Sequence, residues 1–99
     1  MKYKPEPIDT SKVALPSDIR VLSELLSQNV HEVWSTRKLR EGYAYGAKDD
    51  KAAKTHHNLV PYEQLSPEDQ AYDRDTALET IKVLITLGFT IEKKDASLK

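Results

Sequence analysis

The stretch DIRVLSELLSQNVHEVWSTRKLRE, residues 18–41, decides the fold. Its apolar side chains recur at the spacing of an α-helix. They are Ile19, Leu22, Leu25, Leu26, Val30, Val33 and Trp34. Ser17 can cap the first turn, and Gly42 can end the helix because glycine adopts a left-handed backbone at little cost. The pattern predicts a first long helix over residues 18–41.

A second helix is predicted over residues 67–87. Ser66 is suited to cap it, Pro67 fits its first position, and two acids follow in the first turn. Gly88 is suited to end the helix. We expect residues 89–91 to form a short strand or an extended contact.

Two further segments complete the predicted fold. Residues 3–16 carry three prolines, which disfavour helix, so this arm should run extended across the surface. Its expected anchors are Ile8, Val13 and Leu15. Residues 42–65 are long for a connection, which favours an ordered or functional loop with short β segments at 43–45 and 59–62. The fold class is therefore α+β, with two main helices and a long ordered connecting loop.

Polar residues interrupt both helical stripes. On a wheel of the first helix, Asn29 and Arg37 fall within the apolar arc, so both are expected to face the core with fixed partners. The residues on the opposite side are Glu24, Gln28, His31 and Ser35. In the second helix, Arg74 lies within the apolar arc and is expected to pair with an acid.

A second apolar patch on the second helix predicts a partner. Tyr72, Val83 and Leu87 lie on the side away from its main stripe. A chain with only 38% apolar residues has a modest core, which dimerisation would supplement. We therefore expect a C2 homodimer formed through the second helix.

Composition narrows the class of protein. The 99 residues fit one domain over residues 1–99, with a core over about 5–91 and a charged tail over about 92–99 that should fray. The net charge of -1 argues against nucleic-acid or membrane partners. Cysteine is absent, and the N-terminus has no signal-peptide core, so a soluble cytoplasmic protein is expected.

No motif indicates catalysis. The sequence lacks a nucleophile elbow, a phosphate-binding glycine loop and a paired-histidine zinc motif, so we expect no enzyme activity, no cofactor and no metal site. His56 and His57 are adjacent and should point apart, and with Asp49 and Asp50 they lack a recognised metal spacing. A hydrolase that uses His56 with Asp49 or Asp50 is the weakest alternative.

Aromatic and cationic residues near the end of the first helix form the candidate ligand site. They are Trp34, Arg37, Tyr43, Tyr45, Lys48, Lys54, His56 and Tyr62. Aromatic rings can stack a base, and Arg or Lys can neutralise a phosphate. The alternative is that the aromatic residues form the core, and for Trp34 core packing is the favoured reading.

Three motifs carry a family resemblance. They span residues 29–37, 42–46 and 59–62, and the match extends from Pro5 to about Ile91. The chain resembles the ryanodine-receptor repeat family, which occurs in tandem pairs in calcium-release channels and as single copies in bacterial and phage proteins. The departures from the family pattern are Tyr43 in place of tryptophan, Lys48 in place of arginine and His57 in place of proline.

The resemblance carries expectations about fold and function. It implies an α+β domain like one half of a tandem repeat, with a second copy replacing the other half in a homodimer. It also implies a non-catalytic regulatory or binding module that senses a nucleotide-like ligand. A protein–protein interaction domain without a small-molecule ligand is the alternative.

Overall fold

The computed structural model describes residues 2–94 of the chain. It contains two main helices with a small two-stranded sheet between them, so the predicted α+β class is confirmed. The elements in chain order are α1 (Ser17–Arg20), α2 (Ser23–Arg40), β1 (Ala44–Tyr45), β2 (Thr55–His56), a 3-10 helix (Tyr62–Gln64) and α3 (Pro67–Thr86). The predicted charged tail extends beyond residue 94 and so lies partly outside the described residues.

The first predicted helix is divided in two. Val21 and Leu22 form a turn between α1 and α2, so the prediction of one continuous helix is wrong at this point. Val21 is β-branched, which lowers its helix propensity, and its side chain is exposed, so burial does not compensate. Pro16, and not Ser17, occupies the cap position of α1.

The ends of the longer helices follow the sequence signals. Ser66 Oγ accepts a hydrogen bond from Asp69 N at 3.1 Å, which caps α3, and Pro67 is its first residue. α3 ends at Thr86, one residue before the predicted end. Gly42 and Gly88 follow α2 and α3 with φ of 92° and 101°, the left-handed conformation expected of both.

α2 and α3 pack antiparallel through polar side chains. Ser27 Oγ donates to Gln70 O at 2.9 Å, and Arg74 Nε donates to Glu24 Oε1 at 2.7 Å. The predicted pairing of Arg74 with an acid is therefore confirmed. Ser27 is fully buried, and the hydroxyl of Tyr62 lies 2.8 Å from its Oγ.

The side of α2 that is buried differs from the predicted one. Asn29 and Arg37 are exposed, whereas His31 is only 3% exposed and faces α3 with Glu24. The predictions that Asn29 and Arg37 face the core are wrong. Hydrogen bonds to fixed partners decide which side is buried here, and an apolar stripe alone does not reveal them.

The N-terminal arm runs extended, as predicted, but its anchor differs. Ile8 is exposed, so its predicted role as an anchor is wrong. The buried residue is Thr10, whose hydroxyl donates to Glu79 Oε2 on α3 at 2.7 Å. Val13 N donates to Thr10 O at 3.0 Å, which turns the chain towards α1.

The segment between α2 and α3 is ordered around a parallel pair of strands. Ala44 pairs with Thr55 and Tyr45 with His56. The prediction of a strand at residues 59–62 is wrong. The second strand comes earlier, and Tyr62 begins the 3-10 helix. A β-carbon on Gly46 would lie 2.6 Å from Thr55 Cβ, so the close approach of the strands requires glycine there.

The fold leaves much apolar surface uncovered. The buried hydrophobic residues are Ile19, Tyr62 and Leu65. The accessible surface is 8214 Å², against about 5,700 Å² for a compact monomer of 11.3 kDa. The radius of gyration is 17.0 Å, against about 13 Å for a compact domain of this length. Within residues 2–94, no helix combines the length and apolar character needed to cross a bilayer.

Candidate functional site

A cleft of about 250 Å³ lies where α2, α3 and the connecting segment meet. Its lining residues are His31, Trp34, His56, Asn58, Leu65, Asp69, Tyr72 and Asp73. α2 supplies His31 and Trp34, one turn apart, and α3 supplies Asp69 and Asp73, also one turn apart. The cleft therefore has an aromatic side and an acidic side.

Two imidazoles hold the indole of Trp34 in place. The ring of His31 stacks on it at 5.7 Å between centroids and 23° between planes. The ring of His56 meets it edge-on at 4.8 Å. His31 is itself fixed, because its Nε2 donates to Val60 O at 2.7 Å, and a carbonyl can only accept. Trp34 is half-buried, so it both packs and lines the cleft.

The acidic side of the cleft is formed by Asp69 and Asp73, and its lining contains neither lysine nor arginine. Asn58 Nδ2 donates to Asp69 Oδ2 at 3.1 Å. Within residues 2–94, no side chain donates a hydrogen bond to Asp73. Burial raises the pKa of Asp73, an effect that His31 partly offsets and Asp69 reinforces. Lysine and arginine are absent from the lining, so the cleft carries negative charge when the histidines are neutral.

A second polar cluster joins Asp49 to both adjacent histidines. His57 Nδ1 lies 2.6 Å from Asp49 Oδ1, and His56 Nε2 lies 3.4 Å from Asp49 Oδ2. The hydrogen bonds from the His57 side chain and backbone hold the pKa of Asp49 below its usual value. The two imidazoles stack at 5.2 Å with 11° between planes, so the prediction that they point apart is wrong.

This cluster fits a hydrogen-bonded carboxylate better than a metal ion. Its three residues offer ligand atoms that lie within 4.8 Å of one another. His56 Nδ1, however, accepts a hydrogen bond from Asn58 N at 3.1 Å, so the proton of neutral His56 is on Nε2, towards Asp49. Metal binding at Nε2 would move that proton to Nδ1, against the N–H of Asn58. The local backbone therefore opposes a metal in this geometry.

The eight predicted ligand residues do not converge on one site. Trp34 and His56 line the acidic cleft. Tyr43 lies beside His56 in a separate hollow of about 300 Å³, with Lys38 Nζ 4.4 Å from the centre of its ring. Tyr62 is buried, and its hydroxyl donates to Glu24 Oε2 at 3.2 Å, so it lies in the core.

The remaining predicted residues lie apart from one another. Arg37 is on the exposed side of α2 and pairs with Glu41 at 3.4 Å. Lys54 Nζ donates to Glu41 O at 2.8 Å, where it helps to close the end of α2. Tyr45 and Lys48 are exposed. A ligand-binding role for these residues stays a prediction.

Sequence reasoning missed the acidic side of the cleft and the role of His31. Asp69 and Asp73 are four residues apart in a predicted helix, so one shared face was readable from their spacing. Their position opposite Trp34 was not readable, because it depends on which side of α2 faces α3.

Fold and cleft together define a small α+β module, in which two antiparallel helices hold an ordered segment between them. The chain matches the family model of the RyR domain over residues 3–93 and belongs to that family. The predicted resemblance to the ryanodine-receptor repeat is therefore confirmed. RyR domains are a non-catalytic repeat family.

Proposed function

We propose that this RyR domain is a non-catalytic protein-interaction module, and that the first occupant of its interaction surface is a second copy of the chain. One observation carries the proposal: the two buried residues of α2, Ser27 and His31, are polar, whereas two of its apolar residues are largely exposed. Leu25 and Val33 are 63% and 61% exposed, whereas Ser27 on the other side is 0% exposed. We call the exposed side the outer face of α2, and its members are Leu22, Leu25, Asn29, Val33, Thr36, Arg37 and Arg40.

A second apolar surface adjoins the start of this face. α2 begins opposite the first half of α3, where Glu24 meets Arg74. The chain that follows α3 returns to the start of α2, because Ile91 lines a groove with Val21 and Leu22. Exposed apolar residues also occur at the end of α3 and just after it: Leu84, Leu87, Phe89 and Ile91. The shared groove supports continuity between this end and the outer face. Of the predicted patch on the second helix, Tyr72 and Leu87 are exposed and Val83 is half-buried, and a dimer through that patch stays a prediction.

The exposed area is large enough for a stable interface. The chain as a whole exposes about 2,500 Å² more than a compact monomer of its mass, part of it in the extended N-terminal arm, whereas a standard interface takes about 800 Å² from each partner. Burying apolar area contributes about 25 cal/mol per Å², so even part of this surface supplies a substantial driving force.

The outer face is also compatible with itself. In an antiparallel contact between two copies centred on Val33, the side chain of Arg37 lies opposite Asn29 of the second copy. The amide oxygen of Asn29 can accept a hydrogen bond from this guanidinium. The Arg37 side chains of the two copies therefore do not face each other. This arrangement avoids a like-charge contact at the centre of the interface.

Light scattering on the Val33→Asp variant tests the proposal. We expect the wild-type chain to have twice the 11.3 kDa mass of one copy, and Val33→Asp to be a monomer, since a desolvated charge opposes association. Leu39→Asp is the matched control, because Leu39 is equally exposed at 61% but lies off the outer face. A wild-type monomer at all concentrations, or equal loss of association in both variants, contradicts the proposal.

A nucleotide-like ligand is the second candidate. It is supported by the hollow beside Tyr43, which Lys38 and Lys51 line, with Lys38 Nζ 4.4 Å from the centre of the ring. The two acids in this hollow are engaged elsewhere: Asp49 accepts from His57, and Asp50 accepts from backbone amides at 2.9 and 3.2 Å. Lys38 Nζ lies 3.8 Å from Glu41 Oε1, so a phosphate would compete with Glu41 for Lys38 and could also contact Lys51.

Calorimetry with ATP, ADP, ADP-ribose and cyclic nucleotides tests this candidate. We expect Tyr43→Ala to abolish binding, because the ring is the stacking surface of the hollow. Arg37→Ala is expected to leave binding unchanged, since Arg37 lies on the outer face of α2. Absence of heat with every nucleotide rejects the candidate and leaves the interaction module intact.

A further inference from the structure

We propose that the cleft between Trp34 and α3 binds an organic cation, an alkyl guanidinium or ammonium group. Trp34 and Tyr72 would contact its face and apolar stem, and Asp69 and Asp73 would accept hydrogen bonds from its charged end. This site is separate from the outer face of α2 and from the hollow beside Tyr43, so the proposal does not rest on either proposed function.

Charge is the first reason. The cleft places two carboxylates one helical turn apart and has no lysine or arginine in its lining. Asp69 accepts one hydrogen bond from Asn58, and within residues 2–94 Asp73 accepts none from a side chain. The ionised Asp73 is thus partly desolvated and only partly compensated by His31, as the upward shift of its pKa reflects. A cation would supply the missing charge, and a phosphate would be repelled.

The aromatic walls are the second reason. A cation over the face of tryptophan or tyrosine is attracted by the ring quadrupole, with tryptophan the strongest. Trp34 is held by His31 and His56, so it forms a rigid wall. Tyr72 is 71% exposed although it lies beside Asp73 at the cleft, which leaves its ring free to cover a ligand.

Size is the third reason. A volume of about 250 Å³ accommodates a group the size of an arginine or lysine side chain. It lies below the usual range for whole small-molecule sites, about 300–1,000 Å³. The shared chemistry is therefore a cationic end on a short apolar stem, whether it belongs to a free amine or to the side chain of a protein.

The fluorescence of Trp34 tests the proposal directly, because it is the only tryptophan in the chain. The protein is titrated with butylguanidinium and with butylurea, its uncharged analogue, at constant ionic strength. We expect a saturable change with butylguanidinium at about millimolar affinity, as for other ligands of this size, and none with butylurea. An equal response to both compounds overturns the proposal.

Two variants locate the charge contact. Asp73→Asn should weaken butylguanidinium binding about tenfold, the usual effect of losing one charge-assisted hydrogen bond. Asp75→Asn, an exposed acid on the same helix outside the cleft lining, should leave it unchanged. Equal weakening in both variants would show only a general attraction of cations and would overturn the site. If Asp73→Asn does not fold, the comparison of charged and neutral ligands on the wild-type chain decides alone.

Binding of a short peptide distinguishes a small free cation from the side chain of a partner protein. Acetyl-Gly-Arg-Gly-amide is compared with the same peptide carrying citrulline. Tight binding of the arginine peptide relative to butylguanidinium supports a side chain of a partner protein, whereas binding of butylguanidinium alone supports a small amine. Failure of both butylguanidinium and the arginine peptide rejects the proposal.

Discussion

The two sides of α2 differ in an unusual way, because its two buried residues are polar and two of its apolar residues are exposed to solvent. The inner side, against α3, presents Glu24, Ser27 and His31, each with a fixed partner. The outer face presents Leu25 and Val33 to solvent. The difference shows that the more apolar side of a helix in the sequence need not be the side that packs within its own chain.

The inner side is stable because its polar groups are satisfied. Among residues 2–94, no fully buried side-chain nitrogen or oxygen lacks a hydrogen-bond partner. Ser27 and Tyr62 share their two hydroxyl protons among three oxygen contacts, to each other, to Gln70 O and to Glu24. Such a network specifies one packing of α2 on α3, and partial loss leaves a costly unpaired group.

Placing an apolar side chain on the buried side of α2 should have the largest effect on stability. We expect Ser27→Leu to lower the free energy of unfolding by about 3 kcal/mol, because it overpacks a fully buried position and removes a partner of Tyr62. Urea unfolding, monitored by Trp34 fluorescence at a protein concentration below that of association, measures the change.

Leu25→Ser is the matched exchange on the outer face. In the monomer it should change stability by about 0.5 kcal/mol or less, because Leu25 is already exposed. Equal destabilisation by the two exchanges would contradict the assignment of inner and outer sides.

Removing the hydroxyl of Tyr62 should lower the free energy of unfolding by an intermediate amount. Tyr62→Phe retains the buried ring and leaves Ser27 its bond to Gln70 O, but it removes the contact with Glu24. We expect a loss of about 1 to 2 kcal/mol in urea unfolding. Tyr45→Phe is the control, since Tyr45 is exposed and should show no loss. A neutral Tyr62→Phe would mean that the hydroxyl network adds nothing to the packing of α2 on α3.

The smallest expected effect concerns Asp73 and Asp49, whose contributions to the free energy of unfolding should change with pH in opposite directions. The pKa of Asp73 is raised by burial, so its contribution to stability is most favourable below the unfolded pKa of about 3.9 and falls as pH rises through the folded pKa. Asp73→Asn should therefore be more stable than wild type at pH 7, on the order of 0.5 kcal/mol, and equal to it at pH 3.

Asp49 should behave in the opposite way. Its pKa is lowered, chiefly by the hydrogen bond from His57, so its contribution is present above pH 4 and is lost as pH falls through the folded pKa. Asp49→Asn should be less stable than wild type at pH 7, with the difference vanishing in acid. Unfolding curves at a series of pH values measure both, and two variants with the same sign would refute the assigned environments.

The sequence predicted the features that local chemistry controls. The start of α3 at Ser66 and Pro67, the ends at Gly42 and Gly88, and the extended arm follow from capping and backbone preference. The pairing of Arg74 with an acid was also predictable, because a charge within a helical stripe needs a partner.

The inner side of α2 was not predictable from its pattern. Helical periodicity places Leu25 and Val33 together and His31 opposite, but it does not state which group meets α3. That choice depends on Tyr62, Val60 and Gln70, which reach α2 from distant parts of the chain. The acidic cleft was missed for the same reason, since its two sides meet only after α2 is oriented.

Thiol labelling can show directly which side of α2 is buried within the chain and which is covered by association, because the chain has no cysteine of its own. Single-cysteine variants Ser27→Cys and Val33→Cys are labelled in the folded state over a range of protein concentrations. We expect the thiol of Ser27→Cys to be protected at every protein concentration. The thiol of Val33→Cys should react rapidly in dilute protein and become protected as copies associate. Rapid labelling at position 27, or protection at position 33 in dilute monomer, would contradict this expectation.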